Sequence, residues 1–201
     1  MTIPALPSEL GAFDAKALAD DPGSLVAIRD DGTILWFNAG WRRFAGANGG
    51  DDVPDRFGVG ASYFEAISGT LRGFYEEVVL DCADRQEPFE QQYECSSPTS
   101  RRTFRMRVLP AGDHVLLVSH SLVVEEPVEA AASEPLDDAY RAPTGLVTMC
   151  SNCRRVRRAD QAQWDWVPAW VSNQPARVSH GICALCMGYY YGAYRASRSR
   201  K

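Results

Sequence analysis

The chain has 201 residues, 45% hydrophobic and 23% charged, with a net charge of −5. That length suits one medium domain plus a small one better than a single large core. No apolar run approaches the ~18–20 residues of a membrane span. The start, MTIPALPSEL, carries neither a basic leader nor a long apolar stretch, so a cytoplasmic protein without membrane contact is expected.

Charge is unevenly placed. Residues 144–201 hold nine basic and two acidic residues, a charge of +7, which leaves 12 basic and 24 acidic residues, or −12, for 1–143. An acidic body with a basic end suits a polyanionic partner or contact between the two halves.

Residues 1–19 read as an N-terminal extension with a short helix. Strand, turn, strand follows: apolar Leu25 to Ile28, a turn at Asp30-Asp31-Gly32, then Ile34 to Phe37. Short helices are expected around WRRFAGAN and SYFEAI. A longer one spans residues 69–85, where Leu71, Phe74, Val78 and Cys82 share a helical face. PFEQQYECSS, RRTFRMRVLP and HVLLVSHSLVV then read as three strands. In the second, Phe104, Met106 and Val108 alternate with Arg105 and Arg107, the pattern of a half-buried antiparallel strand. The order is α+β, with one antiparallel sheet packed against helices.

The segments "DDGTILWFNAGWRRFA" and "YECSSPTSRRTFRMRVLP" make residues 20–124 resemble the PAS domains of bacterial signalling proteins. The Asp-Gly turn followed by an apolar strand and an Asn is similar to the family's first hairpin. The Tyr-x-Cys-x-Ser-Pro and Arg-x-Phe-x-Met-x-Val strands resemble a subgroup found near histidine kinases and response regulators. The resemblance implies a five-stranded antiparallel sheet that encloses a small-molecule pocket or offers a surface for homodimerisation; it names no ligand. Trp36, Phe44, Tyr63, Phe64 and Phe74 are the candidate pocket residues, with ordinary core as the competing reading.

Residues 125–143 are acidic, rich in Ala and Pro, and without apolar periodicity, so they read as a linker. Residues 144–201 carry the strongest signal in the chain. Cys150, Cys153, Cys183 and Cys186 form two Cys-x-x-Cys pairs. Each pair brings two thiolates to one turn, and two such turns supply the four soft ligands of a tetrahedral Zn²⁺. In a reducing compartment this pattern points to a metal rather than to disulfides. A stretch of 58 residues with few aliphatics also needs such a staple.

A short strand at Leu146-Val147, a hairpin around WDWVPAW and a helix opened by the second pair resemble a treble-clef zinc finger. They also resemble a short module at the C-termini of bacterial PAS, GAF and receiver proteins. Zinc is expected, and an iron–sulfur cluster on the same four cysteines is the alternative. His180 is expected to hydrogen-bond a thiolate from outside the ligand set. Arg154, Arg155, Arg157 and Arg158 sit beside the first pair and are candidates for contact with nucleic acid or a protein partner, against a plain solvated surface.

Other chemistry finds little footing. No Gly-rich phosphate loop, kinase motif, nucleophile elbow or HExxH is present, and four thiolates would close a zinc coordination sphere to water. His114 and His120 lie near the last sheet strand, whereas the PAS resemblance implies a haem ligand on the long helix, and residues 69–85 contain no His. Cys82 reads as a structural thiol. The sequence therefore implies a non-enzymatic regulator: a PAS-like domain that senses a ligand or dimerises, and a structural zinc module that contacts a signalling partner. The alternatives are a nucleic-acid-binding transcriptional regulator and a redox or iron sensor.

Overall fold

The computed structural model describes residues 4–48, 50–67, 71–97, 99–112, 114–127 and 137–192. The chain divides into two compact units. The first takes Met1–Ser68, Arg72–Gln91 and Arg105–Leu122; the second takes Gly69–Leu71, Gln92–Phe104 and Val123–Lys201.

The first hairpin forms β1 (Ser24–Arg29) and β2 (Ile34–Phe37) around the expected turn. Gly32 takes φ +86° there, and a Cβ on it would meet the Phe64 ring at 2.4 Å, so the residue has to be glycine. Helices α1 (Ala15–Asp20), α2 (Ala39–Ala47), α3 (Val53–Arg56) and α4 (Leu71–Arg85) complete the N-terminal part. Strands β3 (Phe89–Glu94), β4 (Ser100–Gly112) and β5 (Val115–Pro127) follow. The sheet order is β2-β1-β5-β4-β3, with β1 antiparallel to both β2 and β5. This is the α+β arrangement of one five-stranded sheet with helices.

The central strands are buried on both faces. Leu25, Ala27, Trp36, Val115 and Leu117 pack against Leu10 and Leu18, so these two residues of the N-terminal segment contribute to the core. Val26, Ile28, Leu116 and Val118 alternate with them and are equally buried.

Asn38 ties this unit together. It is fully buried. Its Oδ1 accepts from Trp41 N at 3.0 Å, capping α2, and from Leu25 N at 3.1 Å. Its Nδ2 faces the carbonyls of Asp21 (3.1 Å) and Gly23 (3.0 Å). An Asn at the strand-to-helix step supplies an acceptor for orphan helix N–H groups and a donor for loop carbonyls in one side chain.

In the second unit, α5 (Asp137–Tyr140) precedes a four-stranded sheet ordered β8-β7-β6-β9. Its strands are β6 (Val147–Cys150), β7 (Val156–Arg157), β8 (Trp164–Asp165) and β9 (Val178–Gly181), with β6 and β9 parallel. The small core consists of Val147, Met149, Val156, Val167 and Trp170.

Two expectations change here. The hairpin is β7–β8, and only Trp164-Asp165 of WDWVPAW lies in it. Pro168 then starts helix α6 (Pro168–Ser172), as a proline in the first helical turn readily does. Within the expected linker, residues 125–127 continue β5 and residues 137–140 form α5, while 128–136 fall outside the described residues.

Candidate metal centre and buried polar sites

The first Cys-x-x-Cys pair lies where β6 ends, and the second where α7 (Ala184–Met187) begins. Because β6 and β9 are parallel, with Cys150 opposite Gly181, the chain leaves β9 two residues before Cys183 and returns the second pair to the first. All four side chains are buried, and their sulfurs lie within 4.8 Å of one another, Cys153 and Cys183 at 3.5 Å. A tetrahedral ion with Zn–S bonds of ~2.3 Å sets its sulfurs about 3.8 Å apart, so the four thiols fit one such ion. A multi-iron core, which places several metals and sulfides between the thiolates, needs a wider cage.

Backbone groups already face the sulfurs. Cys183 N points at Cys150 Sγ and Cys186 N at Cys183 Sγ, each at 3.4 Å. The second contact caps α7 with a thiol, which suits an anionic sulfur. Without an ion the thiols share protons unevenly. Hydrogen bonding from Cys153 and then from the other neighbours holds Cys150 well below the ordinary thiol range. Hydrogen bonding with Cys150 pushes Cys153 and Cys186 above it. Four thiolates at this spacing repel strongly, and a divalent cation is what lets all four exist together.

Side chains around the sulfurs differ from the expected ones. His180 is exposed on β9 and faces Gln174 at 3.4 Å. The side-chain donor at the thiols is Asn152. Asn152 Nδ2 points at Cys186 Sγ at 3.3 Å, and its Oδ1 accepts from Tyr190 Oη at 2.9 Å. Arg155, two residues after Cys153, donates from Nη1 to Glu94 Oε2 at 2.8 Å. Strand pairing accounts for His180: its backbone lies opposite Met149 in the parallel ladder, and its ring is carried outward.

The four arginines do not form one free basic surface. Arg155 is held by Glu94, and Arg158 donates to Asp165 at 2.6 Å and lies 5.9 Å from the centre of the Tyr140 ring. Arg154, at φ 60°, donates to Val171 O at 3.1 Å, and Arg157 reaches Gln161 O at 3.4 Å. The cluster is adjacent in sequence and dispersed in function.

In the first unit the candidate pocket residues separate. Trp36 sits on the face packed against the N-terminal segment, with Nε1 donating to Pro4 O at 3.0 Å. A bulge causes this: β1–β2 register passes from Ala27↔Trp36 to Ile28↔Ile34, so Leu35 is extra and Trp36 turns to the face opposite Ile34. Phe44 is 37% exposed on α2. Tyr63, Phe64 and Phe74 are buried and grouped with Tyr75, the Tyr63–Tyr75 and Phe74–Tyr75 ring centres being 6.5 and 5.6 Å apart.

Sequence reasoning misses the polar pair beside them. Tyr63 Oη lies 3.0 Å from His120 Nε2; desolvation lowers the His120 pKa to about 4 and raises that of Tyr63. His120 shares a face with Val118 and Leu116 by strand alternation, a signal that the sequence does contain. Both polar atoms of the Gln91 side-chain amide and the Trp41 Nε1 are also buried without a hydrogen-bond partner among the described residues. Cys82 is buried, its thiol pushed up to about 11 chiefly by desolvation, which suits a structural role. His114 is exposed and meets Asp30 at 2.6 Å.

No family model and no curated protein matches the chain. The solved structures to which it is similar include PAS domains. The photoactive yellow protein domain of the sensor histidine kinase Ppr from Rhodospirillum centenum is 13% identical, with a TM-score of 0.38, over 58% of this chain and 99% of that one. The PAS domain of the Cronobacter turicensis quorum-sensing receptor RpfR in complex with C12:0 is 15% identical, with a TM-score of 0.42, over 53% and 99%. The PAS domain of Bordetella pertussis BvgS is 16% identical, with a TM-score of 0.41, over 58% and 85%. No helix among the described residues is long and apolar enough to cross a membrane.

Proposed function

We propose that this protein is a non-enzymatic signalling regulator. Its PAS-like unit senses a small molecule or dimerises, and its four-cysteine module holds a structural zinc ion and contacts a protein partner. The observation that carries the reading is the buried group of four thiols, whose spacing suits one tetrahedral ion with no position left for a reacting water. Cys150, Cys153, Cys183 and Cys186 would hold the ion, which would supply a fixed crosslink between β6 and α7. The buried amide of Gln91 and the buried indole Nε1 of Trp41, without a hydrogen-bond partner among the described residues, support the sensing half, since such donors and acceptors are what a bound ligand satisfies.

The nucleic-acid reading loses its main support because Arg155 and Arg158 are engaged by Glu94 and Asp165. An iron–sulfur sensor is disfavoured by the narrow sulfur cage.

Cross-linking in living cells with the full chain tests the proposal. A protein cross-linked through residues 144–192, and lost in a Cys150→Ser/Cys183→Ser variant, is the expected result. Absence of any cross-linked protein under all growth conditions would overturn the signalling role.

A further inference from the structure

Of the polar groups near the cysteines, Glu94 is the farthest in sequence, and it comes from the end of the β3–β4 hairpin. That end, Gln92–Phe104, belongs to the same compact unit as the cysteines, whereas Gln91 and Arg105 belong to the other. The two strands therefore pass from one unit to the other as continuous backbone.

The hairpin end is built to be held. Cys95 and Arg102 pair through Cys95 N to Arg102 O at 3.0 Å, and Ser97 N reaches Ser100 O at 2.8 Å. Arg102 Nε donates to Cys95 O at 3.0 Å, and the Tyr93 and Phe104 rings stack at 5.8 Å. Every acceptor of Glu94 is used: Oε1 by Ser96 Oγ at 3.0 Å, Oε2 by Arg155 at 2.8 Å and the backbone oxygen by Asn152 Nδ2 at 3.2 Å. The side chains of Arg155 and Glu94 are only 16% and 10% exposed.

Asn152 and Arg155 thus tie the hairpin end to the first cysteine pair. Asn152 bridges the Glu94 carbonyl and Cys186 Sγ, and Arg155, two residues after Cys153, holds the Glu94 carboxylate while its backbone oxygen accepts from Cys150 N at 2.8 Å. A divalent ion held by four thiolates leaves the centre with two negative charges; Asn152 donates to it directly, and Arg155 holds the hairpin end to the same turn. Without the ion the crosslink between β6 and α7 is absent, and the turn that carries Asn152 and Arg155 is no longer pinned.

We propose that the β3–β4 hairpin end is a metal-dependent element, fixed through Asn152 and Arg155 when the four-cysteine centre is loaded, with Glu94 as the positioning residue that connects the centre to β3 and β4. This rests on the reading of the cysteines as a metal site. Because coupling between two events is reciprocal, loss of Glu94 weakens the metal, and loss of the metal loosens the hairpin.

The test uses the full chain, loaded with zinc or stripped by a chelator, with hydrogen exchange read on the backbone amides of residues 92–104. Stripping is expected to speed exchange there at least about tenfold, the scale on which loss of such outer contacts acts. Glu94→Gln is expected to bind one zinc per chain with roughly 10–100-fold lower affinity in chelator competition, and to exchange fast at 92–104 even when loaded. Asn152→Ala, which removes the second bridge, serves as an independent check with the same expected direction. Hairpin exchange that is unchanged by stripping, or zinc affinity that is unchanged in Glu94→Gln, overturns the inference. A wild-type chain that binds no metal overturns the underlying reading instead, so the two failures are distinguishable.

Discussion

The Tyr63 hydroxyl and the His120 Nε2 meet at 3.0 Å on the helix-facing side of the five-stranded sheet, and desolvation lowers the histidine pKa to about 4. A histidine held neutral in the fold and free to protonate near pH ~6.5 when unfolded makes stability depend on pH.

Below the unfolded pKa of about 6.5 the unfolded chain binds a proton that the folded chain refuses. Stability from this residue is therefore complete above that pH and falls as the pH drops toward about 4, by up to ~3 kcal/mol. Urea unfolding from neutral pH down to about 4 is expected to show this acid limb, and His120→Asn is expected to flatten it. Equal slopes in the two proteins would contradict a half-buried histidine held neutral by desolvation.

Asn38 answers two backbone donors and several carbonyls from full burial. Asn38→Ala removes the α2 cap and leaves those groups unpaired, an expected loss of about 3 kcal/mol. Asn38→Asp keeps the acceptor and cannot donate, so it is expected to rescue little. Thermal unfolding of both variants checks the order.

Gly40 lies in α2, where alanine would ordinarily favour the helix by about 1 kcal/mol. Here a Cβ would stand 1.8 Å from the Gly23 carbonyl oxygen. Gly40→Ala is expected to destabilise by about 3 kcal/mol because backbone must shift on both sides. Gly73, whose Cβ would meet nothing within 4 Å, is the internal control: Gly73→Ala is expected to be neutral or stabilising.

The Glu94–Arg155 pair sits almost out of water. Removing one partner strands the other, so Arg155→Met is expected to cost about 3 kcal/mol, while Glu94→Leu/Arg155→Met recovers part of that stability. A double-mutant cycle measures the coupling. A value near zero would place the pair in effectively solvated surroundings.

The metal centre is legible in the sequence because its information is local. Two residues between cysteines fix each half, and the spacing alone implies that the halves meet. The hairpin turn, the long helix and the three later strands are legible through period and turn residues. The face that Trp36 takes is not legible, because the bulge at Leu35 breaks the period of two on which any facing argument depends.

His180 escapes for a related reason: a parallel β6–β9 pairing across some 30 residues decides which way it faces, and no local pattern reports that pairing. Glu94 is invisible in the sequence as part of the centre. It lies 61 residues from Arg155, and a lone acidic residue in a strand reads as an exposed edge. Burial supplies the physical reason for its pairing, since an acidic side chain taken out of water has to find a cation.

The central claim is that the four cysteines hold one structural metal ion. Metal content by mass spectrometry, with an absorption spectrum, on the full chain purified anaerobically without added metal tests it most directly. About one zinc per chain and no visible band is the expected result. Iron with inorganic sulfide and a broad visible band, or no metal at all, would contradict it.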